Sequence, residues 1–295
     1  MTLSMVSQTP SILKILKRLK SLPFNLNQAW SLLTTPSLPS LAGTIGLAGK
    51  TQVSAPPNQN LCKCLKRKSF QSIKNPTPAN SGIHMSNSSF IYFDLGGVVI
   101  KDFSDSNKWQ ELTQGLGISD EKHQKFLDWW DEYGTDLSVG KHDIDDFLPQ
   151  LEMATGLTFS PGYSLMQDFV DRFEQNQPIW PIIKQVHDEY PIGLLTNTYI
   201  RMLPAIYQAD LMPDIEWDVV INSAELKIAK PDLKIYQIAQ QKAGVPPNQI
   251  LFIDNSQKNL KTPQDLGWHT FYYDSSNYAQ ATQDLVQYLK QEKAL

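Results

Sequence analysis

"FIYFDLGGVVI", residues 90–100, sets one carboxylate, Asp94, behind four apolar or aromatic residues and ahead of two glycines, Gly96 and Gly97. A short continuous apolar run of this kind reads as a strand covered on both faces, the setting of a central strand in a parallel sheet. A charge at the first position beyond it can cap the turn that follows or, as in open α/β sheets, stand where a ligand binds.

Working outward, apolar runs recur at 191–195, 218–221, 250–253 and 269–273, with helical patterns near 200–208, 232–243, 257–266 and 277–291. This alternation predicts an α/β fold: βαβ units with right-handed crossovers forming a Rossmann-like parallel sheet covered by helices. Almost a hundred residues separate the first two runs, too many for one crossover helix. The intervening 103–185 is read as a helical cap built from "SNKWQELTQGLG", "SDEKHQKFLDWWDEYG", "DIDDFLPQLEMATG" and "SPGYSLMQDFVDRFE". Gly117, Gly134 and Gly156 are expected to end helices, and Ser119 and Ser160 to begin them. Phe126, Trp129 and Trp130 read as a packing face, and "DIDD" at 143–146 as solvated carboxylates complementing a helix dipole. The catalytic core is accordingly assigned to 89–102 and 186–295.

Charge divides the chain sharply. Residues 1–89 contain no Asp or Glu and ten of the 26 Lys and Arg, a formal +10, whereas the rest holds all 30 acids and a formal −14. Residues 1–88 are expected to be a disordered basic leader, either transit-like or an artefact of a true start at Met85. Within it "ILKILKRLKSL" forms a basic amphipathic pattern, and Cys62 and Cys64 read as free thiols, since a lone C-x-C lacks partners for a zinc site. Localisation is expected to be cytoplasmic, or organellar if the leader is a genuine transit peptide. No apolar run approaches the roughly 20 residues of a membrane span, and an acidic folded part without a basic stripe argues against nucleic acid. The five histidines, His84, His123, His142, His187 and His269, have no metal-ligand spacing, and His269 reads as structural.

In open α/β sheets ligands bind beyond the carboxyl ends of the strands. Asp94 follows the first run, Thr196 and Asn197 the second, and Asp254 and Asn255 the fourth, while Lys230 precedes Pro231 in the stretch after the third. One pocket assembled from these separate segments is the expectation.

With "FDLGGVV", "LLTNT", "AELKIAKPDLKIY" and "LFIDNSQKN" occurring in this order, the chain resembles the haloacid dehalogenase (HAD) superfamily of hydrolases across about 90–275. The resemblance implies that Asp94 is a nucleophile forming an aspartyl phosphate. It implies that Thr196 holds phosphoryl oxygens, that Lys230 balances charge, and that Gly96, Gly97 and Asn197 line the substrate site. It further implies a Mg²⁺ held by Asp94, the Gly96 carbonyl, Asp254 and Asn255.

Two positions depart from the family pattern. Gly96 stands where family phosphatases commonly carry a second Asp serving as general acid and base, and Asn255 stands where a second acidic residue is usual. The preferred reading is a Mg-dependent phosphatase of a small phosphorylated metabolite, such as a sugar phosphate or nucleotide, with weakly bound metal. The alternatives are a metal-independent 2-haloacid dehalogenase-type enzyme, which would need an arginine early in the insert where neither Arg172 nor Arg201 stands, and a binding or regulatory protein that has lost turnover. Lys101, Asp102 and the "WWDEYG" turn are candidates to overhang the cleft.

Overall fold

The computed structural model describes residues 89–292. The leader expected over 1–88, with its cysteines and Met85, lies outside the described residues. Among the described residues the strands are β1 (Phe90–Phe93), β2 (Ile100–Lys101), β3 (Glu174–Gln175), β4 (Ile192–Thr196), β5 (Val219–Asn222), β6 (Ile250–Asp254) and β7 (His269–Tyr272). Five of them form one sheet in the order β5-β4-β1-β6-β7, and every pairing in it is parallel. The FIYF run at 90–93 therefore supplies the central strand.

The side chains of β1 alternate between two apolar layers, as the period of a strand requires. Ile91 and Phe93 enter one buried cluster, and Phe90 and Tyr92 the other. The second layer is built with α8 (Leu233–Ala243), whose Ala239 carbonyl accepts the Tyr92 hydroxyl at 2.8 Å. Gly193 in β4 has its own reason: a Cβ there would meet Tyr92 Cε1 at 2.5 Å and the Val219 carbonyl at 2.9 Å. A strand neighbour without a side chain leaves room for the Tyr92 ring.

The first layer is covered by α5 (Trp180–Glu189), α6 (Met202–Gln208) and α10 (Tyr278–Gln291), through Ile183, Val186, Ile206, Leu285 and Leu289. The same cluster runs on into the inserted helices α1 (Lys108–Gly115), α2 (Asp120–Ser138), α3 (Leu148–Thr155) and α4 (Leu165–Asp171) through Leu112, Phe126, Leu151 and Phe169. Phe126 and Trp129 are buried here, Trp130 packs against them, and their expected packing role follows. The insert joins the core through the antiparallel pair β2–β3, which holds Lys101 opposite Glu174.

Several local expectations need correction. Helix α2 continues past Gly134 to Ser138, and the left-handed residue that turns the chain is Gly140, with φ of +59°. The N-cap of α4 is Ser164, whose hydroxyl accepts from the Gln167 amide at 3.1 Å, because Pro161 and Gly162 first make a turn after Ser160. The "DIDD" carboxylates are not simply solvated. Asp143 caps a 3-10 turn (Ile144–Phe147), and Asp145 accepts from Ser164 Oγ at 2.6 Å and the Met166 amide at 3.1 Å. The end assigned to the cap at residue 185 falls within α5.

Candidate active site at the carboxyl edge of the sheet

Parallel pairing brings the carboxyl ends of β1, β4 and β6 side by side, and the expected polar residues come with them. The Asp94 amide bonds the Ile253 carbonyl at 2.8 Å, so the chain leaves β1 directly beside the end of β6. Asp94 is 8% exposed, and its carboxylate accepts at Oδ1 from the Leu95 amide at 2.7 Å and from Lys230 Nζ at 2.8 Å. Lys230 Nζ also reaches Asp254 Oδ2 at 2.7 Å. One ammonium thus bridges two buried carboxylates.

The electrostatics follow from that count. Burial, and then the charge of Asp254, push the Asp94 carboxyl up to about 8, against the pull of Lys230 and the Leu95 amide. Burial pulls the Lys230 ammonium down, but Asp254 and Asp94 outweigh it and hold it above its ordinary value. With two acids and one base the trio keeps one uncompensated negative charge when fully ionised.

Asp254 is fully buried and its oxygens are occupied: Oδ1 takes the Ser256 amide at 2.7 Å, and Asn259 Nδ2 lies 3.3 and 3.1 Å from the two oxygens. It anchors Lys230 more than it faces a cleft. Asn197, expected to bind substrate, uses both ends of its amide on the backbone of Lys230, donating to the carbonyl at 3.0 Å and accepting from the amide at 2.9 Å. Its role here is to fix the lysine. Thr196, at the end of β4, is buried, and its hydroxyl makes one long contact, 3.5 Å, to the Asn197 carbonyl. Two residues on, Thr198 ties this loop to the end of β5 through Asn222 Oδ1 at 2.7 Å and Ser223 Oγ at 3.0 Å.

Gly97 has φ of +75°, and a Cβ there would collide with the Asn255 amide at 2.0 Å. The Asn255 side chain packs on that turn and donates to Ser275 Oγ at 3.1 Å, which in turn donates to Asp105 at 2.6 Å. At Gly96 the space of a side chain is taken by another residue: Asp102 Oδ2 lies 2.2 Å from where a Cβ would stand. Burial raises the Asp102 carboxyl, against its bonds to Ser104.

For a metal, Asp94 offers an oxygen and Asn255 a neutral one, with the Gly96 carbonyl nearby in sequence. Among the described residues no cluster of three or more His, Cys, Asp or Glu side chains suited to a metal occurs. The uncompensated charge, seen in the raised Asp94, is nevertheless of the kind a divalent cation neutralises, so the donor set fits a weakly held Mg²⁺.

Insert and core also touch beside the site. Ser223 Oγ donates to the Ser138 carbonyl at 2.5 Å, Lys227 Nζ donates to the Gly140 carbonyl, and Arg201 grips Asp143 at 2.5 and 2.6 Å and Asp145 at 2.8 Å. A cleft of about 620 Å³ between them is lined by Lys227, Lys230, Lys234 and Lys258 among others. Sequence reading missed Asn259, Ser275, Asp105 and the Asn222–Ser223 pair. Asn259 was within reach, because it stands five positions after Asp254 on the first turn of a helix that starts at the strand end.

A parallel sheet with a helical insert after its central strand, and an acid–lysine–acid trio at the strand ends, defines a hydrolase of the α/β class. The sequence model of haloacid dehalogenase-like hydrolases matches residues 90–267, and the chain belongs to this family. Among curated proteins it is 25% identical over 194 residues to D-ribitol-5-phosphate phosphatase of Bacteroides thetaiotaomicron, covering 61% of this chain and 89% of that one. It is 33% identical over 81 residues to (S)-2-haloacid dehalogenase 4A of Burkholderia cepacia, covering 28% of this chain and 35% of that one. The chain thus spans about a third of that dehalogenase, and 6% of the length of a third relative, acyl-CoA dehydrogenase family member 10 of Mus musculus. Among solved structures, a HAD family enzyme of Bacteroides thetaiotaomicron superposes with a TM-score of 0.54 at 19% identity, over 64% of this chain and 95% of that one. A predicted HAD-like hydrolase of Porphyromonas gingivalis gives 0.52 at 24% identity, over 68% and 98%. No helix among the described residues is long and apolar enough to cross a membrane.

Proposed function

We propose that the chain is a phosphatase of small phosphorylated metabolites that works through an aspartyl phosphate on Asp94. The observation that carries this reading is the trio itself: a carboxylate 2.8 Å from a buried ammonium, which a second carboxylate 2.7 Å away holds in place. The ammonium offsets the repulsion between an anionic nucleophile and an anionic phosphoryl group, and its placement before the reaction avoids a cost of reorganisation. Asp94 attacks phosphorus as the bond from phosphorus to the ester oxygen breaks and the alcohol departs, Thr196 donates to a phosphoryl oxygen, and water then attacks phosphorus, breaking its bond to Asp94, to release phosphate and restore the carboxylate. Mg²⁺, when bound by Asp94, the Gly96 carbonyl and Asn255, would offset the repulsion between nucleophile and phosphate.

A specific observation disfavours the dehalogenase reading. The arginines of the folded part are both committed elsewhere: Arg172 pairs with Asp168 at 3.0 Å, and Arg201 with Asp143 and Asp145. The relative of longest match named above acts on a sugar-alcohol phosphate by its name, which supports the same class of substrate. The test is hydrolysis of an aryl phosphate with and without Mg²⁺, which is expected in the unaltered chain, rises with Mg²⁺ and is lost in Asp94→Asn. Halide release from a 2-haloacid without phosphate release would favour the alternative instead.

A further inference from the structure

The phosphatase reading leaves one gap, because position 96 has no side chain to give a proton to the leaving group. We propose that Asp102, reaching in from the hinge between core and insert, takes that part and acts as the general acid and base of the reaction.

Placement carries the proposal, which rests on the phosphatase reading. An alanine methyl at 96 would meet Asp102 Oδ2 at 2.2 Å, Cγ at 2.9 Å and Cβ at 3.5 Å. The whole carboxyl group therefore occupies the volume into which a side chain at 96 would grow, two residues beyond the nucleophile. Gly96 and Asp102 are reciprocal: the absent side chain is the room for the carboxylate. Asp102 directly follows β2, the strand that starts the hinge. Its Oδ1 accepts from the Ser104 amide at 2.9 Å, which leaves Oδ2, the oxygen nearest Gly96, outside that bond.

The segment is held firmly enough to aim a proton donor. Lys101 is paired with Glu174 across β2–β3, and Asp105 receives Ser275 Oγ at 2.6 Å, which links the hinge to Asn255 beside Gly97. Tyr199, three residues after Thr196, is raised by its own burial and then by the charge of Asp102.

The two half-reactions balance. As an Asp94 oxygen bonds to phosphorus, the bond from phosphorus to the ester oxygen breaks, and that oxygen takes the proton of the Asp102 carboxyl and departs as the alcohol. Water then attacks phosphorus while Asp102 takes one of its protons. The bond from phosphorus to Asp94 breaks, phosphate leaves, and both carboxyl groups return to their starting states.

The test compares leaving groups in the full chain. An aryl phosphate releases an oxyanion stable enough to depart unprotonated, whereas an alkyl phosphate does not. In Asp102→Asn the release of alcohol from an alkyl phosphate is expected to fall by about 10²- to 10⁴-fold. The first-turnover release of phenol from the aryl ester should fall far less. Moving the carboxyl back, in the double variant Gly96→Asp with Asp102→Gly, is expected to restore alkyl phosphate turnover above that of Asp102→Gly alone. Equal losses on both esters, or no loss on either, overturn the role of Asp102 while leaving the phosphatase reading intact. An unaltered chain that turns over neither ester overturns both.

Discussion

Asp94 sits in a site whose charge count determines its chemistry. With Lys230 shared between two acids, burial and the nearby Asp254 raise the Asp94 carboxyl to about 8. A protonated carboxyl is no nucleophile, so activity without metal should climb as pH rises through about 8 and be lost below it. A divalent cation beside Asp94 favours its ionised form and should move this acid limb to lower pH. Profiles of kcat/KM against pH with and without Mg²⁺ check this, and coincident limbs would show that no metal touches Asp94. The same residue scale explains what the sequence hid. Asp94, Thr196 and Asp254 stood out in the sequence because each follows an apolar run, and Lys230 because it precedes Pro231 in the stretch after the third run. The commitment of Asn197 to the Lys230 backbone, and of Asp102 to the space at Gly96, depends on contacts 33 and 6 positions apart, which no local pattern encodes.

At the scale of elements, the sheet was readable because strands buried on both faces show as continuous apolar runs. Gly193 breaks that run for a packing reason. Gly193→Ala would drive a methyl against Tyr92 and the Val219 carbonyl, and is expected to cost about 1–3 kcal/mol, read from urea unfolding with unchanged m. A stability equal to that of the parent would mean that β1 and β4 pair less closely than described. Helix ends inside the insert were harder to read. Gly134 looks like a terminator, yet a helix tolerates glycine, and the chain turns at Gly140, where φ is positive. The acidic run at 143–146 had a partner 56 to 58 residues away in Arg201, invisible without the fold. Because Arg201 is half exposed, Arg201→Ala should lower global stability by less than about 1 kcal/mol. Hydrogen exchange at the amides of Ile144–Phe147 should nonetheless quicken, since the grip on this corner of the insert is lost. Unchanged exchange there would show that the ion pair holds nothing in place.

Across the whole molecule, one apolar cluster runs from the sheet into the inserted helices, so the cap and core are built around shared packing as well as the polar contacts beside the site. The fold class and the position of the insert could be read from the order of apolar runs. The substrate could not, because the cap side chains that would recognise it are brought over the cleft only by tertiary packing. What this architecture is proposed to do is place a phosphoryl group on one carboxylate. The direct measurement is mass spectrometry of acid-quenched protein during turnover of a phosphate ester, reading the peptide that contains Asp94. One added phosphoryl group at Asp94 in the unaltered chain, absent in Asp94→Asn, is the predicted result. Sustained phosphate release with that peptide never modified, or undiminished in Asp94→Asn, would contradict it.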